Sequence, residues 1–365
     1  MTPREQEIME LIRANPQISQ QEIGNRLNIK RSSVAVHINH LMNKGYILGR
    51  GYLLKKEPYI VVIGGASVDL RGIPDETIMM EDSNPGTFHK TAGGVGRNIG
   101  ENLARLGYRT DMITLLADDR FGNWLMEKGM EVNLTFHHSF ILQGEQTPTY
   151  LEILDEKGEM VVAISDMKLL DKFTPERMEK KKEYIENAEI IVVDTNLPKE
   201  TLEYLFDHLK GTFLVDGVSA AKVKKLKGFL PKIHTLKCNK HEAESLLSRT
   251  LEGKEALKEG AKELVAMGLH QVVITCGKDG ALSYNGKEGY LLQAPSVKVK
   301  NATGAGDAFT AGLAYGMVKG WEFLESLRFA MGSSIVALGD EGTNAIGLNP
   351  EEVKRNLGGI IDVKY

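Results

Sequence analysis

Asp307 closes the run Asn301-Ala302-Thr303-Gly304-Ala305-Gly306-Asp307-Ala308-Phe309, and the small residues before it lead straight into a helical pattern that continues through Met317. Consecutive small residues at a helix start leave backbone N–H groups free to converge on an anion, and the helix dipole adds to the attraction. Gly304, Ala305 and Gly306 therefore form a candidate phosphate cradle with a carboxylate at its mouth. A carboxylate in that place serves either as a helix cap or as a base for a hydroxyl that attacks the phosphate, and the residues alone allow both.

A second cluster, Gly93-Gly94-Val95-Gly96-Arg97-Asn98-Ile99-Gly100, opens a helix that ends near Leu106-Gly107. It carries the first two glycines of a dinucleotide-binding GxGxxG. Ile99 occupies the third position and no strand is predicted directly before the cluster, which argues against a nicotinamide site. GxxxxGK followed by Ser or Thr occurs nowhere, so a Walker-type loop is excluded. Cys238 and Cys276 lie far apart without a CxxC or a nearby His cluster, and read as buried small hydrophobes in a reducing cytosol.

The elements that must position these loops follow from the pattern. With 365 residues, a formal charge of -4 and 42% hydrophobic content, the chain is neither disordered nor fibrous, and it is too long for one small module. Tyr59-Ile60-Val61-Val62-Ile63-Gly64-Gly65 reads as a buried strand ended by glycines, after a short linker Lys55-Lys56-Glu57-Pro58. Further strands are predicted at Met112–Leu116, Ile190–Asp194, Thr212–Asp216, His234–Leu236 and Val272–Thr275, with helical patterns such as Arg97–Leu106 and Lys199–Leu209 between them. This alternation predicts an α/β domain over 59–360, a doubly wound, mostly parallel sheet with helices on both faces. Ser139–Leu142, Thr149–Leu154 and Met160–Ile164 are strand-like without intervening helices, and predict a small antiparallel β lid. No stretch approaches the roughly 18 apolar residues a membrane span needs, and the charged start of the chain is unlike a signal peptide, so a cytoplasmic protein without membrane contact is expected.

Gly-Gly-x-Gly-x-Asn opening one helix and Thr-Gly-Ala-Gly-Asp opening another some two hundred residues later together resemble the two signatures of the ribokinase-like (PfkB) carbohydrate and nucleoside kinases. The resemblance runs from about Tyr59 to beyond Leu348. It implies ATP-dependent transfer of phosphate to an alcohol, with Mg2+ and possible dependence on a monovalent cation. Asp307 is implied as the base and Ala305, Gly306 and Asp307 as the N–H donors to the transferred phosphate. Asp69, in Ser67-Val68-Asp69, falls where the family binds substrate, and Asn98 would hold ribose hydroxyls with Gly94 allowing close approach. Asn239-Lys240-His241-Glu242 resembles the family's NxxE motif, which implies Asn239 and Glu242 at the magnesium and phosphate end. Thr275-Cys276-Gly277-Lys278-Asp279-Gly280 resembles its nucleotide loop, with Thr275, Gly277 and Gly280 against ATP. Within the family, Asp82-Ser83-Asn84-Pro85-Gly86, the first glycine cluster, Ser165-Asp166-Met167 and Ile233-His234-Thr235-Leu236-Lys237 are similar to the pseudouridine kinases. That implies transfer to the 5'-hydroxyl of the nucleoside, Asp166 among the substrate contacts, and a homodimer. Inosine, uridine or ribose as acceptor, and a regulator that uses the kinase fold only as a ligand sensor, stand as alternatives.

Residues 1–56 carry nine basic and four acidic side chains, a net of +5, which leaves -9 for the remainder. Ile8, Leu11 and Ile12 follow a Thr2-Pro3 cap at helical spacing, Ser19 and Glu22 form a capping box for a helix over Gln20–Leu27, and Val34, Ile38 and Leu41 line a third helix. Gly45 to Leu54 reads as a hairpin around Gly49-Arg50-Gly51. The first 55 residues resemble a winged helix-turn-helix domain, which implies Arg31, Ser32, Ser33 and His37 in the major groove of DNA and Arg50 on phosphate. A dimerisation or docking module is the alternative use of such a fold.

Overall fold

Alternate side chains of Ile60–Ile63 enter two different cores, Ile60 and Val62 one, Val61 and Ile63 the other. This period of two is what a strand covered on both faces must show. The structure, a computed structural model, describes residues 1–47 and 58–365. They fall into two compact units, Met1–Pro58 and Tyr59–Tyr365.

In the larger unit the strand Ile60–Ile63 lies inside a ten-stranded sheet. From one edge the order is Leu134–Thr135, Thr110–Ile113, Ile60–Ile63, Ile190–Asp194, Phe213–Asp216, Thr235–Asn239 and Gln271–Thr275, all parallel. Ala281–Tyr284, Gly289–Gln293 and Ile361–Lys364 then extend it antiparallel. The last of these lies beyond the expected end at 360, because it completes the sheet edge against Gly289–Gln293. Helices Val95–Arg105, Ala305–Val318 and Phe323–Leu338 cover one face through Ile99, Leu103, Phe309, Leu313 and Phe329. Lys199–His208, Lys240–Leu247 and Gly253–Ala266 cover the other through Leu202, Leu205, Leu246 and Leu264. The chain thus has the doubly wound architecture that its alternating pattern predicts.

The lid differs from expectation. Thr149–Leu154 and Met160–Asp166 pair antiparallel, as predicted, but Ser67–Pro74 and Gly86–Gly93 join them in a four-stranded sheet. A strand therefore does precede the first glycine cluster. It escapes the sequence because Gly86–Ala92 is almost wholly exposed and has no apolar alternation. Phe140–Leu142 is not part of the lid; it pairs in parallel with Leu115–Ala117, so the run expected at Met112–Leu116 is divided between two ladders. Among the described residues, no helix is long and apolar enough to cross a membrane.

The described residues of the smaller unit form three helices, Pro3–Ala14, Gln20–Leu27 and Arg31–Asn43, around a core that includes Ile8, Ile12, Ile23, Val34, Ile38 and Leu41. The full capping box forms at Thr2 and Glu5, whose carboxylate also accepts Lys44 Nζ at 2.8 Å from the end of the third helix. At Ser19 only half of the expected box forms: Ser19 caps Glu22 N–H, while the Glu22 carboxylate pairs with Arg26. The expected hairpin falls largely, and Arg50 wholly, outside the described residues.

Candidate active site

The carboxyl ends of the parallel strands collect the polar groups, the place where open α/β sheets bind ligands. Ile190–Asp194 and Phe213–Asp216 each finish an apolar run in a buried aspartate. Asp194 Oδ2 accepts the N–H groups of Gly65 and Gly96, each at 2.8 Å, and its Oδ1 accepts that of Asn196 at 2.8 Å. One carboxylate thereby fixes the end of the first strand and the start of helix Val95–Arg105. Burial pushes its pKa up, and the backbone donors oppose that. Gly94, at φ 94°, turns the chain into this helix, and a Cβ there would lie 2.5 Å from Gly65 O.

The second glycine loop is equally constrained. Gly304 is the N-cap of Ala305–Val318 at φ 84°, and a Cβ on it would come 1.9 Å from Thr343 O. Asp307, in the first turn, is not the cap residue; its Oδ2 accepts Asn98 Nδ2 at 2.9 Å, from the helix opened by the other glycine cluster. Burial and the Asp216 carboxylate push the Asp307 pKa up to about 7, against the opposing pull of Lys237 and Asn98. A carboxyl tuned near neutrality is suited to taking a proton from an attacking hydroxyl.

Asp69, Gly94, Asn98 and Asp307 line one cavity of 330 Å³. Its roof is the lid, where Asp69, Tyr150 and Ser165 stand in register on three neighbouring strands and all line the cavity. Asp69 Oδ1 accepts Ser67 Oγ at 3.0 Å, and burial raises its pKa. Asp166 is displaced by the strand's alternation: its neighbours Ser165 and Met167 line the cavity, and its own Oδ1 accepts Lys168 N–H at 3.4 Å. A larger cavity of 410 Å³ lies at the opposite ends of the strands, beside His234, His270 and Trp321, without a glycine-rich helix start.

Asn239 and Glu242 form a capping box at the start of Lys240–Leu247, with Asn239 N–H on Glu242 Oε2 and Glu242 N–H on Asn239 Oδ1, each at 2.9 Å. Thr275 stands in register beside Asn239, and the turn Gly277–Asp279 follows it. Gly280, at φ 90°, would place a Cβ 1.9 Å from Leu292 O, whereas Gly277, at φ 58°, faces open space. These groups are assembled at the carboxyl ends of adjacent strands.

Several site residues escape the sequence reading. Lys222 lines the cavity, where its Nζ meets Asn196 Oδ1 at 2.5 Å. Val218, also in the lining, sits at φ 58°, a costly conformation of about 1–3 kcal/mol for a β-branched residue. Asp194, Asp216 and Lys237 had one available signal, a polar residue at or near the carboxyl end of an apolar run. In the smaller unit Arg31, Ser32 and Ser33 are exposed at the start of the third helix. His37 is half-buried, with a buried Nδ1 that has no partner among the described residues.

A two-faced parallel sheet, a lid over the strand ends and a buried carboxyl in the first turn of a glycine-capped helix are the architecture of the ribokinase-like phosphotransferases. The chain belongs to the pfkB family of carbohydrate kinases, whose family model matches residues 57–350, and uses ATP as phosphate donor. A winged helix-turn-helix DNA-binding model matches residues 1–47. The pseudouridine kinase of Escherichia coli K12 is 39% identical over 295 residues, covering 80% of this chain and 94% of that protein. The uncharacterized sugar kinase YeiI of the same organism is 36% identical over 342 residues, covering 92% of this chain and 94% of its own. A carbohydrate kinase structure from Agrobacterium tumefaciens superposes with a TM-score of 0.75 at 29% identity, covering 84% of this chain and all (100%) of that one. The Arabidopsis thaliana ribokinase complexed with ribose and ATP shares the fold, with a TM-score of 0.73 at 22% identity over 83% of this chain and 99% of that one.

Proposed function

We propose that the protein phosphorylates the 5'-hydroxyl of pseudouridine. The supporting observation is the single cavity in which Asp69 and Asn98 meet Asp307, together with the 39% identity to a pseudouridine kinase. Asp69 and Asn98 hydrogen-bond ribose hydroxyls, and a sugar lacking them forfeits those bonds. Asp307 takes the proton of the attacking hydroxyl while the N–H groups of Ala305, Gly306 and Asp307 hold charge on the transferred phosphate. The lid excludes water and so suppresses ATP hydrolysis.

The end of the site at Asn239 and Glu242 would hold Mg2+, which would supply charge neutralisation to the phosphates. The carboxylate oxygens of Glu242 suit it chemically, but both are occupied by the Asn239 capping box, so Glu242 and Asn239 fit an ion held through water rather than directly. Asp166 stays a candidate only for a contact that forms when the lid closes. The exposed Phe88, Met160, Val162 and Ile164 of the lid support a homodimer through that sheet.

YeiI supports a second reading, another nucleoside or sugar as acceptor, because its match covers more of this chain than Tyr59–Tyr365 contains and so includes part of the smaller unit. Steady-state assays with ATP and Mg2+, with and without K+, across pseudouridine, uridine, inosine and ribose separate the two. Pseudouridine is expected to give the highest kcat/KM. A clear preference for any other acceptor moves the assignment to that compound.

A further inference from the structure

Lys237 places an ammonium inside the sheet, in the strand Thr235–Asn239, with its side chain only 8% exposed. A buried cation is costly unless it is paired. Its Nζ donates to Asp216 Oδ2 at 3.1 Å, and Thr310 Oγ1, from the helix that begins at the anion loop, donates to the same oxygen at 2.7 Å. The ammonium also lies against that loop: a Cβ built on Gly306 would meet Nζ at 3.0 Å. Two strands and the helix therefore fix one cation beside Gly306, the residue that precedes Asp307.

The charged groups around Asp307 come from three strands. Asp216 and Asp194 contribute carboxylates and Lys237 the ammonium, while helix Val95–Arg105 offers the neutral Asn98. Glu242, from helix Lys240–Leu247, acts on Lys237. We propose that Lys237 is a positioning residue for phosphoryl transfer, the fixed counter-charge that allows Asp307 to ionise beside Asp216. Like carboxylates at close quarters cannot all ionise without a cation among them. The hydrogen bond to Asp216 Oδ2, an oxygen also held by Thr310 Oγ1, keeps the Lys237 ammonium paired in this buried place. With the ammonium gone, Asp307 would keep its proton at neutral pH and could not accept one from the substrate hydroxyl. The role is independent of which alcohol is phosphorylated.

The test is the titration of the Asp307 carboxyl in the full chain, observed by NMR on isotope-labelled aspartate and identified by its loss in Asp307→Asn. The midpoint should lie near about 7. Lys237→Met is expected to raise it by about one pH unit or more, and Lys237→Arg to leave it nearly unchanged. Lys237→Met combined with Asp216→Asn removes both charges of the pair and should return the midpoint toward the original. A residue that merely fills space would produce neither the rise nor the return. An Asp307 midpoint that stays fixed in Lys237→Met overturns the proposal. If that variant does not fold, Asp216→Asn alone decides, since it must lower the midpoint; no change or a rise refutes the charge balance. Because the carboxyl titrates without an acceptor present, failure to phosphorylate pseudouridine would count against the substrate assignment and leave this result standing.

Discussion

At the scale of the residue, the ionised form of the buried Asp307 carboxyl costs stability. Its pKa is raised to about 7, chiefly by burial and then by Asp216. A carboxyl whose pKa is raised on folding favours the folded state when protonated, and that contribution disappears as pH climbs from the unfolded value toward about 7. Asp307→Asn removes the buried charge. It should therefore raise Tm by a few degrees at pH 8 and by less at pH 5, while kcat falls by about 100-fold or more. Thermal melts at the two pH values and initial-rate kinetics check the pair; near-normal turnover would end the assignment of Asp307 as base. Asp69→Ala should instead raise KM for the nucleoside with little change in ATP affinity, measured by calorimetry for each ligand. Asp307 and Asn98 were legible because each sits inside a contiguous glycine signature. Asp194, Asp216 and Lys237 were not, because each acts on neighbours brought by other strands, and a single polar residue in an apolar run does not announce its partners.

At the scale of the element, the parallel strands were legible from short β-branched runs, since both faces of such strands are buried and the apolar signal is continuous. The lid strands Ser67–Pro74 and Gly86–Gly93 were not. Gly86–Gly93 is exposed along most of its length and carries no apolar alternation, and in Ser67–Pro74 the alternation is confined to Val68 and Leu70, which meet the core while Asp69 lines the cavity, too short a stretch to mark a strand. The helix starts behave differently again, because there backbone conformation decides. Gly304→Ala would combine an unfavourable φ of 84° with a Cβ 1.9 Å from Thr343 O. The loop must shift, and with it the N–H groups proposed to hold phosphate. We expect kcat to fall by about 100-fold or more, the scale of a lost oxyanion donor, while far-ultraviolet circular dichroism is unchanged. Full activity in this variant would show that the loop does not bind the transferred phosphate.

At the scale of the whole molecule, the +5 of residues 1–56 and the -9 of the remainder invite different partners. Arg31, Ser32 and Ser33 are exposed where a recognition helix begins, and this supports DNA as the partner of the smaller unit. His37 contributes less to that reading, since its Nδ1 is turned inward. The residues proposed for phosphoryl transfer all lie beyond Pro58, so deletion of residues 1–55 should leave kcat/KM largely intact. The full chain should bind DNA upstream of its own coding region, with affinity falling steeply as salt rises because phosphate contacts release counterions. Arg31→Ala should weaken binding to the specific site by about 1–3 kcal/mol if the side chain reads a base. Arg50→Ala should weaken binding to every sequence and lower the salt slope by about one. Gel shifts at several salt concentrations, with and without nucleoside, measure all three. Absence of a shift at low salt would make the smaller unit a docking or dimerisation module, and the kinase activity of the truncated chain would then be the cleaner guide to what the protein does.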